Sequence, residues 1–124
     1  MQVTDRQRLP NRRPSTTLDV WHNNERYHVS FSKDTDNVIR EVFVHGPRAG
    51  SDLDALAFDI GVALSLGLQH GATVGSLLHS MARLEDGSNA SFVGRILEAL
   101  VPIDGLDMWA EYAYFNSTGA ANVG

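Results

Sequence analysis

An α+β fold, with a small antiparallel sheet of about three strands packed against about three helices in a single domain, is predicted by three features of the chain. Residues 16 to 32 alternate apolar and polar side chains on either side of an Asn-Asn pair, the signature of a β-hairpin. Residues 50 to 71 form the longest apolar run, with apolar side chains recurring at three- and four-residue steps, the signature of a helix. Residues 91 to 101 repeat that helical spacing on a shorter scale. A chain of 124 residues is one domain by length and is large enough to bury about two-thirds of its unfolded surface.

The segment MQVTDRQ is expected to be disordered, and RLPNRRP at 8 to 14 extended, because Pro10 and Pro14 each disfavour helix at the preceding residue. Together they make a basic arm over residues 1 to 14. The first strand runs from Thr16 to His22 and the second from Glu25 to Ser32, closed by Asn23 and Asn24, which tolerate positive φ. Pairing His22 with Glu25 sets Val20 against Tyr27, Leu18 against Val29 and Thr16 against Phe31, an apolar face. The other face then pairs Trp21 with Arg26, suited to a cation-π contact, and Asp19 with His28, suited to a charge pair. Residues 33 to 37 form a turn, and Val38 to His45 a third strand whose buried face alternation leaves open, because Arg40 and Glu41 are adjacent.

The turn Gly-Pro-Arg-Ala-Gly at 46 to 50 leads into the central helix. Ser51 with Asp54 has the form of a capping box, and Asp52 and Asp54 place negative charge where the helix dipole is positive. Leu53, Leu56, Ala57, Ile60, Ala63, Leu64, Gly67 and Leu68 make the expected buried stripe. Gly61 and Gly67 disfavour helix by about 1 kcal/mol each relative to Ala, so they are assigned to a close approach of another backbone. Gly71 ends the helix in the left-handed conformation, and His70 suits the negative end of its dipole. A second helix is expected from about Thr73 to Leu84 with Leu77, Leu78 and Met81 inward, followed by a loop at 85 to 90. The third helix runs from Ser91, its cap, to Val101, with Phe92, Val93, Ile96, Leu97 and Leu100 on one side and Pro102 as its stop. These elements bound a domain at 15 to 102; the tail at 103 to 124 is apolar and acidic at first and is expected to be disordered at its end.

Composition excludes several chemistries. There is no cysteine, so disulfides, thiolate metal sites, thiyl radicals and cysteine nucleophiles are absent from this chain. No run reaches the roughly 20 uncharged apolar residues of a membrane span, and Asp59 interrupts the best candidate. With no secretory signal in the polar N-terminus, the expected compartment is the cytoplasm and no membrane partner is expected. Five histidines, at 22, 28, 45, 70 and 79, include no helical pair four residues apart and no accompanying glutamate motif, so no metal site is expected. Asp19, His28 and Ser30 do not make a hydrolase triad, since Ser30 shares a strand with His28 and no strand-to-helix elbow carries a serine. No catalytic residue is assigned.

Two binding surfaces remain. Gly46, Arg48, Gly50 and Ser51 form a glycine-containing turn entering a helix, where backbone amides and an arginine suit a phosphate or other anion. The spacing is not that of a phosphate-binding loop, because three residues separate Gly46 from Gly50 and no lysine follows. The second candidate is a protein partner or a second copy of the chain, met by Arg12 and Arg13 of the arm and by Trp109 and Tyr112 of the tail. The net charge of −5 is uneven: residues 1 to 13 hold Arg6, Arg8, Arg12 and Arg13 against Asp5, while six acids and only Arg95 lie from Glu85 onward. Four arginines with no interleaved aromatic make a weak nucleic-acid signal, so a nucleic-acid partner is not expected, although the arm leaves that reading open.

RLPNRRP at 8 to 14, REVFV at 40 to 44, and AGSDLDALAFDIGVALSLGLQHG at 49 to 71, which holds the string Ser65-x-x-Leu68-Gln69-x-Gly71, together resemble the TSCPD domain. That domain is found at the C-terminal end of adenosylcobalamin-dependent ribonucleoside-diphosphate reductases and as short free-standing proteins. The resemblance covers about residues 8 to 101 and implies an α+β domain attached to deoxynucleotide synthesis. In the full enzymes a large barrel carries cobalamin, nucleotide and radical cysteines, and this chain has no such barrel. The cysteine of the Thr-Ser-Cys-Pro-Asp string that names the family is also missing, so no reductase residue carries over. What the resemblance implies is an accessory or binding domain that does not catalyse on its own. No cofactor is expected in this chain, adenosylcobalamin entering by association alone, and a reductase subunit is a candidate partner.

Overall fold

A computed structural model describes residues 5 to 6 and 14 to 105. Within them lie strands β1 (Thr16–His22), β2 (Glu25–Lys33) and β3 (Ile39–His45), then helices α1 (Asp52–Gln69), α2 (Val74–His79) and α3 (Phe92–Leu100), and a 3-10 turn at Val101–Ile103. The strands form one antiparallel sheet in the order β1-β2-β3. The fold is therefore α+β, as the periodicities predict.

The hairpin has the register predicted by its side chains, with His22 opposite Glu25, Val20 opposite Tyr27, Leu18 opposite Val29 and Thr16 opposite Phe31. Asn23 and Asn24 adopt φ of 51° and 64°, the doubly positive turn whose twist matches that of the strands it joins. The Arg26 guanidinium sits 5.9 Å from the Trp21 ring centroid, and His28 Nδ1 lies 2.7 Å from Asp19 Oδ1. Ser30 meets Thr17 at 3.2 Å and is not in a triad.

The adjacency of Arg40 and Glu41 has a structural cause. Ser32 pairs with Glu41 but Lys33 pairs with Ile39, so Arg40 is the extra residue of a β-bulge. The bulge turns Ile39, Val42 and Val44 all into the core. Its extra residue is put to use: Arg40 Nε donates to Asp34 Oδ2 at 3.1 Å and Nη1 donates to the Leu68 carbonyl at 2.9 Å, tying the turn before β3 to the last turn of α1. Burial pushes the Asp34 carboxyl upward, but the amides of Val38 and Asp36 and the Arg40 guanidinium outweigh it and hold the group below the ordinary value.

Helix α1 starts at the predicted cap, with Ser51 Oγ accepting from the Asp54 amide at 3.1 Å, but the reciprocal half of the capping box does not form, because the Asp54 carboxylate turns to the Gly46 and Gly50 amides; the helix is followed by Gly71, whose φ is 112°. Its buried side differs from the predicted stripe. Ala57, Gly61, Leu64, Ser65, Leu68 and Gln69 are buried, whereas Leu56 and Ala63 are exposed. The reason is where the helix lies. It packs along the outer edge of β3, where backbone groups point sideways and only small or polar residues fit between helix and strand. A methyl group at Gly61 would sit 3.1 Å from both the Val42 oxygen and the Val44 nitrogen. Ser65 Oγ accepts from the Val42 amide and donates to the Val42 carbonyl, each at 2.9 Å, and Gln69 Nε2 donates to the Arg40 carbonyl at 3.2 Å. Gly67 makes no such approach; its nearest outside neighbour is the Ala72 side chain at 3.9 Å.

The second helix is shorter than predicted. It begins on a capping box between Thr73 and Ser76 and stops at His79, after which Arg83 bridges to Asn89 and the chain turns at Gly87. Leu78 is buried, and Leu77 and Met81 pack against the core as expected. Ser91 caps α3, whose Phe92 stacks on Tyr27 of β2 at 4.5 Å between ring centroids. The core is thus one face of the sheet, with Val29, Val42 and Val44 at its centre, closed by α1 at β3 and by α3 at β1. Beyond α3, Asp104 Oδ1 accepts from the Ile39 amide at 3.0 Å, covering the start of the same strand edge. The expectations for the arm from residue 7 to 13 and for the tail from residue 106 onward lie outside the described residues.

Candidate functional site

The predicted anion turn is built differently from an open anion site. Asp54, one turn into α1, reaches back so that its Oδ1 accepts from the Gly46 amide at 2.8 Å and its Oδ2 from the Gly50 amide at 3.0 Å. Those two amides hold the Asp54 carboxyl below its ordinary value, with a smaller contribution from His45, whose Nδ1 is 3.6 Å away. Ser51 donates its hydroxyl proton to the Arg48 carbonyl at 2.7 Å, and Arg48 itself is exposed. Gly46 is required by space, since a Cβ there would lie 2.8 Å from the Asp54 Cα. Gly46, Arg48, Gly50 and Ser51 are therefore brought together, and the negative group bound to their turn is the chain's own Asp54. An external anion would have to displace it. Arg12, Arg13, Trp109 and Tyr112 lie outside the described residues, so the structure does not place them.

A different surface stands out on α1. The stripe Ala55, Asp59, Val62 and Leu66 follows four-, three- and four-residue steps, the spacing of a seam between helices, and Leu56, Phe58 and Ala63 flank it. All seven residues are exposed, with Leu56 at 52%, Phe58 at 43%, Leu66 at 40% and Val62 at 39%. These four make an apolar strip along a helix of 18 residues, about 27 Å long. The sequence reading missed it because the same helix supplies a second, small-residue face to the strand edge. A helix apolar on nearly all sides is one that expects cover on nearly all sides, and that signal is present in residues 53 to 68.

At the N-terminal end of this strip is a cleft of about 270 Å³ between the end of β3 and the first turns of α1. Phe58 and Ala55 form its apolar wall, His45 stands 6.2 Å from the Phe58 ring between centroids, and Asp54 and Asp59 supply carboxylates. Asp54 is committed to the Gly46 and Gly50 amides, whereas Asp59 has no ion-pair partner among the described residues. A second cleft, of about 390 Å³, lies at the hairpin end beside Trp21, Leu84, Asn89 and Arg95. Among the described residues no cluster of three or more His, Asp or Glu side chains is arranged to hold a metal. No helix of the described residues is long and apolar enough to cross a membrane.

The residues that fasten α1 to β3, namely Ser65, Leu68, Gln69 and Gly71, are those of the Ser-x-x-Leu-Gln-x-Gly string. Its chemistry is therefore structural: a hydroxyl for the Val42 backbone, a core leucine, a carboxamide for the Arg40 carbonyl and a left-handed stop. Gln69 Oε1 also accepts from Arg6 Nε, attaching the start of the chain to the end of α1. No curated protein and no solved structure matches the chain. The family model of the TSCPD domain matches residues 3–101, which include every strand and helix from β1 to α3. With the match extending over most of its length, the chain belongs to the TSCPD domain family.

Proposed function

We propose that the chain is a non-catalytic accessory domain of adenosylcobalamin-dependent ribonucleotide reduction, acting by binding a protein. The observation that carries this reading is the outer face of α1, where Leu56, Phe58, Val62 and Leu66 form an exposed apolar strip along one helix. Family membership points to the reductase as the protein concerned. The chain has no thiol with which to generate a radical or reduce a ribose, so its contribution there is contact rather than chemistry.

The test is affinity capture of the tagged chain from its native cell, combined with an assay of the isolated chain with ribonucleotide, adenosylcobalamin and a thiol reductant. The barrel-containing reductase is expected in the captured fraction, and the isolated chain is expected to form no deoxynucleotide. Deoxynucleotide above a no-protein control, or a captured fraction without the reductase, overturns the proposal.

A further inference from the structure

The outer face of α1 has a chemical polarity that narrows what can cover it. The strip is apolar from Leu56 to Leu66, but Asp59 sits in the middle of its seam, and the helix from Asp52 to Gln69 contains no Lys or Arg. Burying Asp59 without a counter-charge would be strongly unfavourable. Three occupants can be compared on that ground. A second copy presenting the same face would bring Asp52 and Asp59 but no cation. The chain's own residues 106 to 124 contain Asp107 and Glu111 and no Lys or Arg, so they too would add negative charge. A basic side chain would pair with Asp59; the chain's own Arg8, Arg12 and Arg13 follow an Arg6 that is tied to Gln69 at the opposite end of α1, which favours a segment of a protein partner as its source.

The cleft beside Asp59 suits such a side chain. Phe58 and Ala55 offer an apolar wall for the methylene stem of an arginine or lysine, and the Phe58 ring offers a face for a cation. The Asp59 carboxylate stands at the same cleft with no ion-pair partner among the described residues. Asp54 lines the cleft as well and keeps its negative charge while bonded to two amides. We infer that the outer face of α1 docks an amphipathic segment of a protein partner whose arginine or lysine enters the Phe58–Asp59 cleft while its apolar side chains cover Leu56, Val62 and Leu66. This inference rests on the accessory-domain reading for the existence of a partner, and adds the partner's chemistry and its register on the helix.

The test places a photo-crosslinking p-benzoylphenylalanine at Phe58 in the full chain and, as a separate probe, at Thr17 on the open face of the sheet. Irradiation in the native cell is followed by sequencing of the crosslinked peptides. The Phe58 probe is expected to capture a segment of another protein with an Arg or Lys within one helical turn of the crosslink. Asp59→Asn is expected to weaken binding of that segment, made as a synthetic peptide, by about tenfold, and Asp59→Lys to weaken it further. Circular dichroism confirms that both variants keep the fold. An adduct joining two copies of the chain, an adduct with residues 7 to 13 or 106 to 124 of the same chain, a captured segment with no basic residue, or binding unchanged in Asp59→Lys overturns the inference. A basic segment from a protein outside ribonucleotide reduction supports the inference and overturns the accessory-domain reading. A reductase adduct from Thr17 with none from Phe58 does the reverse, and no adduct from either probe overturns both.

Discussion

Replacing Ser65 with Ala removes one oxygen atom and is expected to destabilise the protein by about 2–6 kcal/mol. Ser65 Oγ serves both the amide and the carbonyl of Val42, each at 2.9 Å, at a residue that is fully buried. With α1 pressed against the strand edge, as the 3.1 Å spacing at Gly61 shows, neither backbone group has an evident route to solvent. Each buried polar group left without a partner costs about 1–3 kcal/mol, and two are orphaned at once. Against a typical total stability of about 5–15 kcal/mol this is a large share. Urea denaturation followed by far-ultraviolet circular dichroism measures it, with the midpoint expected to fall by about 1–3 M at a slope of about 2 kcal/mol per M that stays unchanged. A loss below about 1 kcal/mol would refute the reasoning, since it would mean that water or a small shift of β3 satisfies Val42 without the hydroxyl.

Gly61→Ala gains about 1 kcal/mol of helix propensity yet is expected to destabilise the protein, because the new methyl meets the backbone of Val42 and Val44 at 3.1 Å; a raised melting temperature would contradict the close packing of α1 on β3. Arg40→Met is expected to cost about 2–3 kcal/mol in the same urea assay, since it leaves the half-buried Asp34 without its cation and the Leu68 carbonyl with the longer bond from the Gly71 amide, at 3.4 Å, in place of the guanidinium. Asp34 and Asp54 both have folded-state values below their ordinary ones, so the stability they contribute is present above the unfolded carboxylate value and is lost as pH falls through the folded values. Melting temperature is therefore expected to fall below about pH 4. In Asp54→Asn that fall should be smaller, and an identical acid profile would show that the Gly46 and Gly50 bonds do not stabilise the ionised carboxylate.

The hairpin was readable because its two constraints agree: Asn23 and Asn24 fix a two-residue turn, and alternation on both strands allows one register. The third strand was readable in extent but not in which face it buries, since the bulge at Arg40 breaks alternation and is recognisable only from the pairing of Ser32 with Glu41 and Lys33 with Ile39. In α1 the caps were legible from Ser51, Asp54 and Gly71, but its orientation was not. Apolar side chains normally mark the buried side, whereas a helix on a strand edge buries Gly61, Ser65 and Gln69 and leaves Phe58 and Val62 outside. The second helix was read too long because Met81 and Leu84 continue the apolar spacing, while the bridge from Arg83 to Asn89 forms between residues that spacing does not connect. The same inversion hid the candidate site, whose Leu56 was assigned to the interior.

The fastening of β3 by side chains, rather than by a fourth strand, gives the protein two built-in clocks for its own breathing. The Val42 amide is held by Ser65 and the Ile39 amide by Asp104, so neither depends on strand pairing for protection. In a hydrogen-exchange experiment Val42 would become labile whenever α1 lifts off the edge, and Ile39 whenever the chain beyond α3 lets go, each without the sheet coming apart. Comparing those two rates with that of an amide inside the β1-β2 ladder would separate partial opening from global unfolding. It would also show whether a partner seated on the outer face of α1 slows the helix while leaving Ile39 unchanged.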